Sequence, residues 1–68
     1  MKIINRDPEI LGGMPVFDGT RVPVHILFEY LEAGDSLRGF LDNFPTVSEA
    51  QARALLDLAA QAIRETAA

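Results

Sequence analysis

A chain of 68 residues without a single cysteine has room for one hydrophobic core and none of the covalent staples that small cores usually lean on. Such a chain buries only roughly 60% of the surface its unfolded form exposes. With one histidine, a structural metal is also a poor stabilising device. Association is what remains. The expectation is a single domain over 1–68, working as a homodimer or higher oligomer, with no metal and no cofactor. The missing cysteines agree with a reducing cytoplasm. The opening MKIINRDPEI holds no apolar run long enough for a signal peptide. Nowhere does the sequence approach the roughly 18–20 apolar residues of a membrane span. A cytoplasmic protein with no membrane partner is expected.

The net charge of −4 sits entirely beyond residue 21. Residues 22–68 set Arg38, Arg53 and Arg64 against Glu29, Glu32, Asp35, Asp42, Glu49, Asp57 and Glu65, whereas Lys2, Arg6 and Arg21 balance Asp7, Glu9 and Asp18. Non-specific DNA affinity comes from neutralising phosphates. An acidic helical region supplies little of it, so operator DNA would need a dimer, a local patch or a helping partner.

Glycine and proline divide the chain into an extended first third and a helical remainder. Ile3 and Ile4 seed a short strand that Asp7-Pro8 breaks, and Leu11 to Pro15 reads as a tight loop. Pro15 to Phe17 is a second extended piece. Asp18-Gly19 is a strong hairpin dipeptide, from which Thr20 to Val22 would return antiparallel. Pro23 suits a first helical turn, followed by an apolar face of Val24, Ile26, Leu27, Phe28, Tyr30 and Leu31. His25, Glu29 and Glu32 share the polar face, and Gly34 stops the helix. Asp35-Ser36 caps the next one, whose Leu37, Phe40, Leu41 and Phe44 fall at helical spacing before Pro45 ends it. Ser48 with Gln51 is a capping-box pair opening a third helix, with Leu55, Leu58, Ala62 and Ile63, helped by Ala54 and Ala59, as its core stripe. The predicted fold is mainly α. A three-helix helix-turn-helix (homeodomain-like) core over 23–33, 36–44 and 48–65 carries a short N-terminal β-hairpin arm over 1–22. The Ala-rich stretch 61–68 either frays or extends as an interaction helix.

In a helix-turn-helix the second helix of the pair enters the major groove with its first turns against the bases. Ser48, Glu49, Gln51, Ala52 and Arg53 would face base edges there, Gln51 suited to adenine and Arg53 to guanine, with Arg38 and Thr46 near phosphate. The candidate DNA-binding set is therefore Arg38, Thr46, Ser48, Gln51 and Arg53. The same pattern also describes an ordinary three-helix core, and Glu49, Arg53 and Asp57, four apart, equally make a solvated face laced with ion pairs. Catalysis finds little footing. His25 belongs to no nucleophile motif, and with Glu29 it offers two ligands where a structural zinc takes about four. Gly12-Gly13 lacks the context of a phosphate loop. No enzyme is expected.

The order of these features is more specific than any one of them: Asp7-Pro8, Gly12-Gly13-x-Pro15, Gly19-Thr20-Arg21-Val22-Pro23-Val24, a helix, Gly34, Phe44-Pro45, Ser48-Glu49. From Ile4 to about residue 60 the chain resembles the family catalogued as domain of unknown function 433. Gly12, Gly13 and Pro15 match that family's loop, and Gly19, Thr20 and Arg21 its signature. The resemblance implies a helix-turn-helix domain encoded beside a PIN-like ribonuclease toxin and acting as its antitoxin in a type II toxin-antitoxin pair. Autorepression of the operon by a dimer or complex would accompany that role. The alternative is a protein-interaction module of the same shape that does not bind DNA. Within the signature, Gly19 serves the turn and Thr20 bonds to nearby backbone. Arg21 either braces the arm through an acidic partner or touches phosphate, and the bracing role is the expectation.

Overall fold

Three helices and two short strands organise residues 1–66, the part that the computed structural model describes. In chain order they are β1 (Ile4–Asn5), β2 (Val16–Phe17), α1 (His25–Glu32), α2 (Leu37–Asn43) and α3 (Glu49–Thr66). The protein is mainly helical, with an antiparallel two-stranded arm ahead of a helix-turn-helix core. Of the Ala-rich stretch, Ala67 and Ala68 lie outside the described residues.

Each helix begins and ends on local chemistry. The first turn of α1 takes shape at Pro23, whose carbonyl accepts from the Ile26 N–H at 3.2 Å. The helix proper starts at His25 rather than at residue 23, because Pro23 is held opposite Val16 in an isolated antiparallel bridge. At the far end the Asp35 N–H reaches back to the Tyr30 carbonyl at 2.9 Å and the Gly34 N–H to that of Leu31 at 3.1 Å. This paired closure needs a left-handed residue, and Gly34 supplies it at φ 89°. Nothing lies within 4 Å of where a Cβ would sit at Gly34. Gly34→Ala should therefore cost about 1–2 kcal/mol through backbone strain alone, a loss that urea denaturation would register as a lower midpoint with unchanged slope.

Ser36 caps α2 by accepting the Gly39 N–H at 3.0 Å, and Phe44, forced out of helical angles by Pro45, closes it. At α3 the capping box is reciprocal: Ser48 Oγ accepts the Gln51 N–H at 3.0 Å, and Gln51 Oε1 accepts the Ser48 N–H at 3.1 Å.

The arm pairs differently from the expected hairpin. β2 bonds to β1, Ile4 opposite Phe17 and Asn5 opposite Val16, across the loop that contains Pro8 to Pro15. Thr20 to Val22 form no strand, but the chain does return along β2: the Phe17 carbonyl accepts the Thr20 N–H at 3.0 Å, the Val22 carbonyl accepts the Phe17 N–H at 2.9 Å, Pro23 bridges Val16, and the Val24 N–H reaches the Pro15 carbonyl at 3.1 Å. Proline at residue 23 has no N–H for a longer ladder, and helix α1 begins directly after it. The pairing of β1 instead puts Val16 and Phe17 in full burial.

The core joins Phe17 of the arm to Leu27 of α1, Phe40 and Leu41 of α2, Val47 of the turn, and Ala52 and Leu55 of α3. Its centre is aromatic. Phe40 lies 5.9 Å from Phe17, 5.5 Å from Tyr30 and 5.0 Å from Phe44 between ring centroids. The stripe expected on α3 is only half right. Leu55 is buried and Leu56 half-buried, but Leu58 is 43% and Ile63 66% exposed, and Ala62 is exposed too. Eighteen residues make α3 about 27 Å long, and the core contacts end in its first half. The second half projects past the body with its apolar stripe uncovered.

Candidate functional site

Two clusters flank the start of α3, and of the residues expected to meet DNA Arg38 and Arg53 lie in one and Thr46 in the other, while Ser48 and Gln51 lie in neither. The first holds Arg38, Glu49 and Arg53. Arg53 Nε donates to Glu49 Oε2 at 2.8 Å, and Arg38 Nη2, from α2, reaches Oε1 at 3.4 Å. With Leu37 and Leu41 they line a dimple of about 80 Å³. One carboxylate thus occupies both arginines, and the cluster presents a single net positive charge. The hydrogen bond and charge of Arg53, assisted by Arg38, hold the Glu49 carboxyl below the ordinary glutamate range. Because folding lowers this pKa, the pairing stabilises the fold above the unfolded carboxyl's range and stops doing so as pH falls through the lowered value. Arg53→Ala should move the Glu49 midpoint upward in a carboxyl NMR titration; an unmoved midpoint would contradict the pairing.

Ser48 and Gln51 are also engaged. Besides closing the capping box, Gln51 donates from Nε2 to the Asp18 carbonyl at 2.8 Å, fastening the start of α3 to the arm. Its amide is half-buried and has no free edge to offer adenine without releasing that link.

The second cluster contains Thr46 and the signature. Gly19, Thr20, Arg21 and Val22 meet Thr46, Asn5 and Ile10 around an open groove of about 530 Å³. The turn that builds it is rigid. Gly19 takes φ 78°, Thr20 Oγ1 donates to the Phe17 carbonyl at 2.8 Å and accepts the Val22 N–H at 3.0 Å, and the Asp18 N–H bonds to the Ile3 carbonyl at 3.0 Å. Thr20 therefore bonds to nearby backbone, as its position suggested. Arg21 does not brace the arm. It is exposed and pairs with no acidic group among the described residues; the turn's own carboxylate, Asp18, lies 4.0 Å from Lys2 Nζ. Gly12 and Gly13, at φ 67° and 90°, turn the loop before β2 through left-handed backbone, where even Leu11 takes φ 51°; with Pro15 they stand outside the groove lining.

Asn5 and Ile10 carry no sequence signal for this site. They come together only through the β1–β2 register and the loop between those strands. His25 hydrogen-bonds Glu29 on the exposed face of α1. Among the described residues, no three His, Asp or Glu side chains gather closely enough to hold a metal ion, and no helix is long and apolar enough to cross a membrane.

Residues 4–59 match the family model described as Protein of unknown function (DUF433). The matched span holds both clusters and ends within α3, before Ala62 and Ile63. An uncharacterized protein of Sinorhizobium fredii, y4eO, is 38% identical over 52 residues, which are 76% of this chain and 24% of that protein. The chain thus spans about a quarter of the length of the curated relative it matches. No solved structure matches it.

Proposed function

The chain belongs to the DUF433 family, and on that premise we propose that it is a non-catalytic cytoplasmic antitoxin of a type II pair, neutralising a PIN-like ribonuclease toxin by direct binding. The observation that carries this reading is the second half of α3. Leu58, Ala62 and Ile63 continue the core-facing stripe beyond the core, so a helix is already formed and already apolar where it leaves the body. A preformed amphipathic helix is suited to a groove on another protein. Two large side chains on about two turns bury too little to make a standard interface with an equal copy, which needs on the order of 1,200 Å² or more; a concave partner uses them better. The acidic balance of residues 22–68, three arginines against seven carboxylates, favours encounter with a basic nuclease face.

Operator binding by a dimer or by the complex is the weaker part of the proposal. Glu49 occupies Arg38 and Arg53, and Gln51 is tied to the arm. Those contacts favour, for the isolated chain, an interaction module of helix-turn-helix shape that does not engage DNA.

Co-expression with the neighbouring gene product tests the first claim: the two should co-purify, and failure to do so at any salt concentration would remove it. A gel-shift on the chain's own upstream sequence, with and without that product, tests the second. No shift in either condition at low salt would leave the interaction module alone. Glu49→Gln should strengthen the shift by releasing both arginines.

A further inference from the structure

We infer that the groove between the signature turn and the α2–α3 turn is a binding site for an apolar, carboxylate-bearing segment of a partner polypeptide. Its volume of about 530 Å³ falls within the range of sites that enclose a small ligand, roughly 300–1,000 Å³. Ile10 and Val22 give it an apolar wall, and the lining as a whole is more apolar than polar. Its one charged group is Arg21. Arg21, like Arg6 and Arg64, has no ion-pair or hydrogen-bond partner among the described residues, but it alone of these three lines the groove, whereas Arg38 and Arg53 are both paired. A guanidinium presents two parallel N–H donors that fit a carboxylate. The Thr46 hydroxyl, likewise without a partner among the described residues, adds a second polar contact across the groove.

The backbone under Arg21 is fixed. Thr20 staples the turn on both sides, and Gln51 ties Asp18 to α3, so an incoming anion meets a prepared site rather than a loop that must first order. Nucleic acid fits less well. Backbone binding to DNA draws on several cations, and this lining has one, while the two arginines at the start of α3 are held by Glu49. The inference does not depend on the antitoxin reading, which rests on the projecting half of α3, about 13–21 Å further along that helix.

Titrating the full chain, labelled with ¹⁵N, with N-acetyl-leucine and with N-acetyl-leucinamide isolates the carboxylate, because the two probes differ only in that group. N-acetyl-leucine should shift the amides of Gly19 to Val22 and Thr46 and the Arg21 Nε–H, and it should bind about tenfold more tightly than the amide. Arg21→Gln should abolish that difference while leaving the spectrum of the core unchanged, and Arg21→Lys, with a charge but no fork, should restore only part of it. Equal responses to acid and amide, or no response to either, would overturn the inference. A stronger response at the same amides to inorganic phosphate or a short DNA duplex would overturn it in favour of nucleic acid.

Discussion

Replacing Phe40 by alanine is expected to leave the chain without a cooperative fold. Phe40 is fully buried, and its ring is the hub through which the arm, α1 and the end of α2 meet, at Phe17, Tyr30 and Phe44. Removing a buried Phe side chain costs roughly 3–5 kcal/mol in transfer and cavity terms, and each lost ring pair about 0.5–1.5 kcal/mol more. A domain of this length holds only about 3–10 kcal/mol in all, at the usual 0.05–0.15 kcal/mol per residue. The loss is therefore comparable to the total. Near-ultraviolet circular dichroism and a thermal melt read the outcome: the aromatic signal and the sigmoidal transition should both disappear. A melt within a few degrees of the parent would show that the aromatic hub is not what holds the arm to the helices.

The opposite dissociation of effects is expected at the projecting half of α3. Leu58→Glu together with Ile63→Glu should cost about 1 kcal/mol or less, since Ile63 is 66% and Leu58 43% exposed and glutamate is a good helix former. The same pair should weaken a complex formed through this face by at least about a hundredfold, because two carboxylates would enter an apolar groove unpaired and central apolar anchors carry most of an interface's energy. Asp57→Asn serves as the control. Helical spacing puts Asp57 on the face opposite the stripe, so partner affinity should hold there. Calorimetry on the purified complex separates the cases. Equal affinity for parent and double variant would mean that the partner docks elsewhere, with the Arg21 groove the next surface to examine.

The helices were legible because their signals are local. Capping at Ser36, the Ser48–Gln51 box, the Gly34 stop and the proline after Phe44 each act within one turn, and the observed helices His25–Glu32, Leu37–Asn43 and Glu49–Thr66 follow the expected 23–33, 36–44 and 48–65 closely. Family membership was legible for a related reason, since the signature residues are contiguous. What escaped is long-range. Gln51 announces its capping partner three residues away, but not its bond to Asp18, thirty-three residues away. Arg38 and Glu49 are eleven apart on different helices, so their pairing is invisible to spacing rules and leaves Arg38 looking free for DNA, whereas the Glu49–Arg53 pair, four apart, is legible. Asp18-Gly19 announces the return of Val22 and Pro23 along β2, but turn chemistry says nothing about β1, more than ten residues upstream, which supplies the strand that pairs with β2. The stripe on α3 was read as core because periodicity reports that a face is apolar, not how far the body beneath it extends.

The most direct test of the antitoxin account is RNA cleavage by the purified product of the neighbouring gene, which the account proposes to be a PIN-like nuclease, titrated with the chain itself. Cleavage should fall linearly and stop once the added chain matches the stoichiometry of the complex, and the Leu58→Glu, Ile63→Glu double variant should leave it running at the same concentrations. Cleavage that persists at saturating chain would contradict the account.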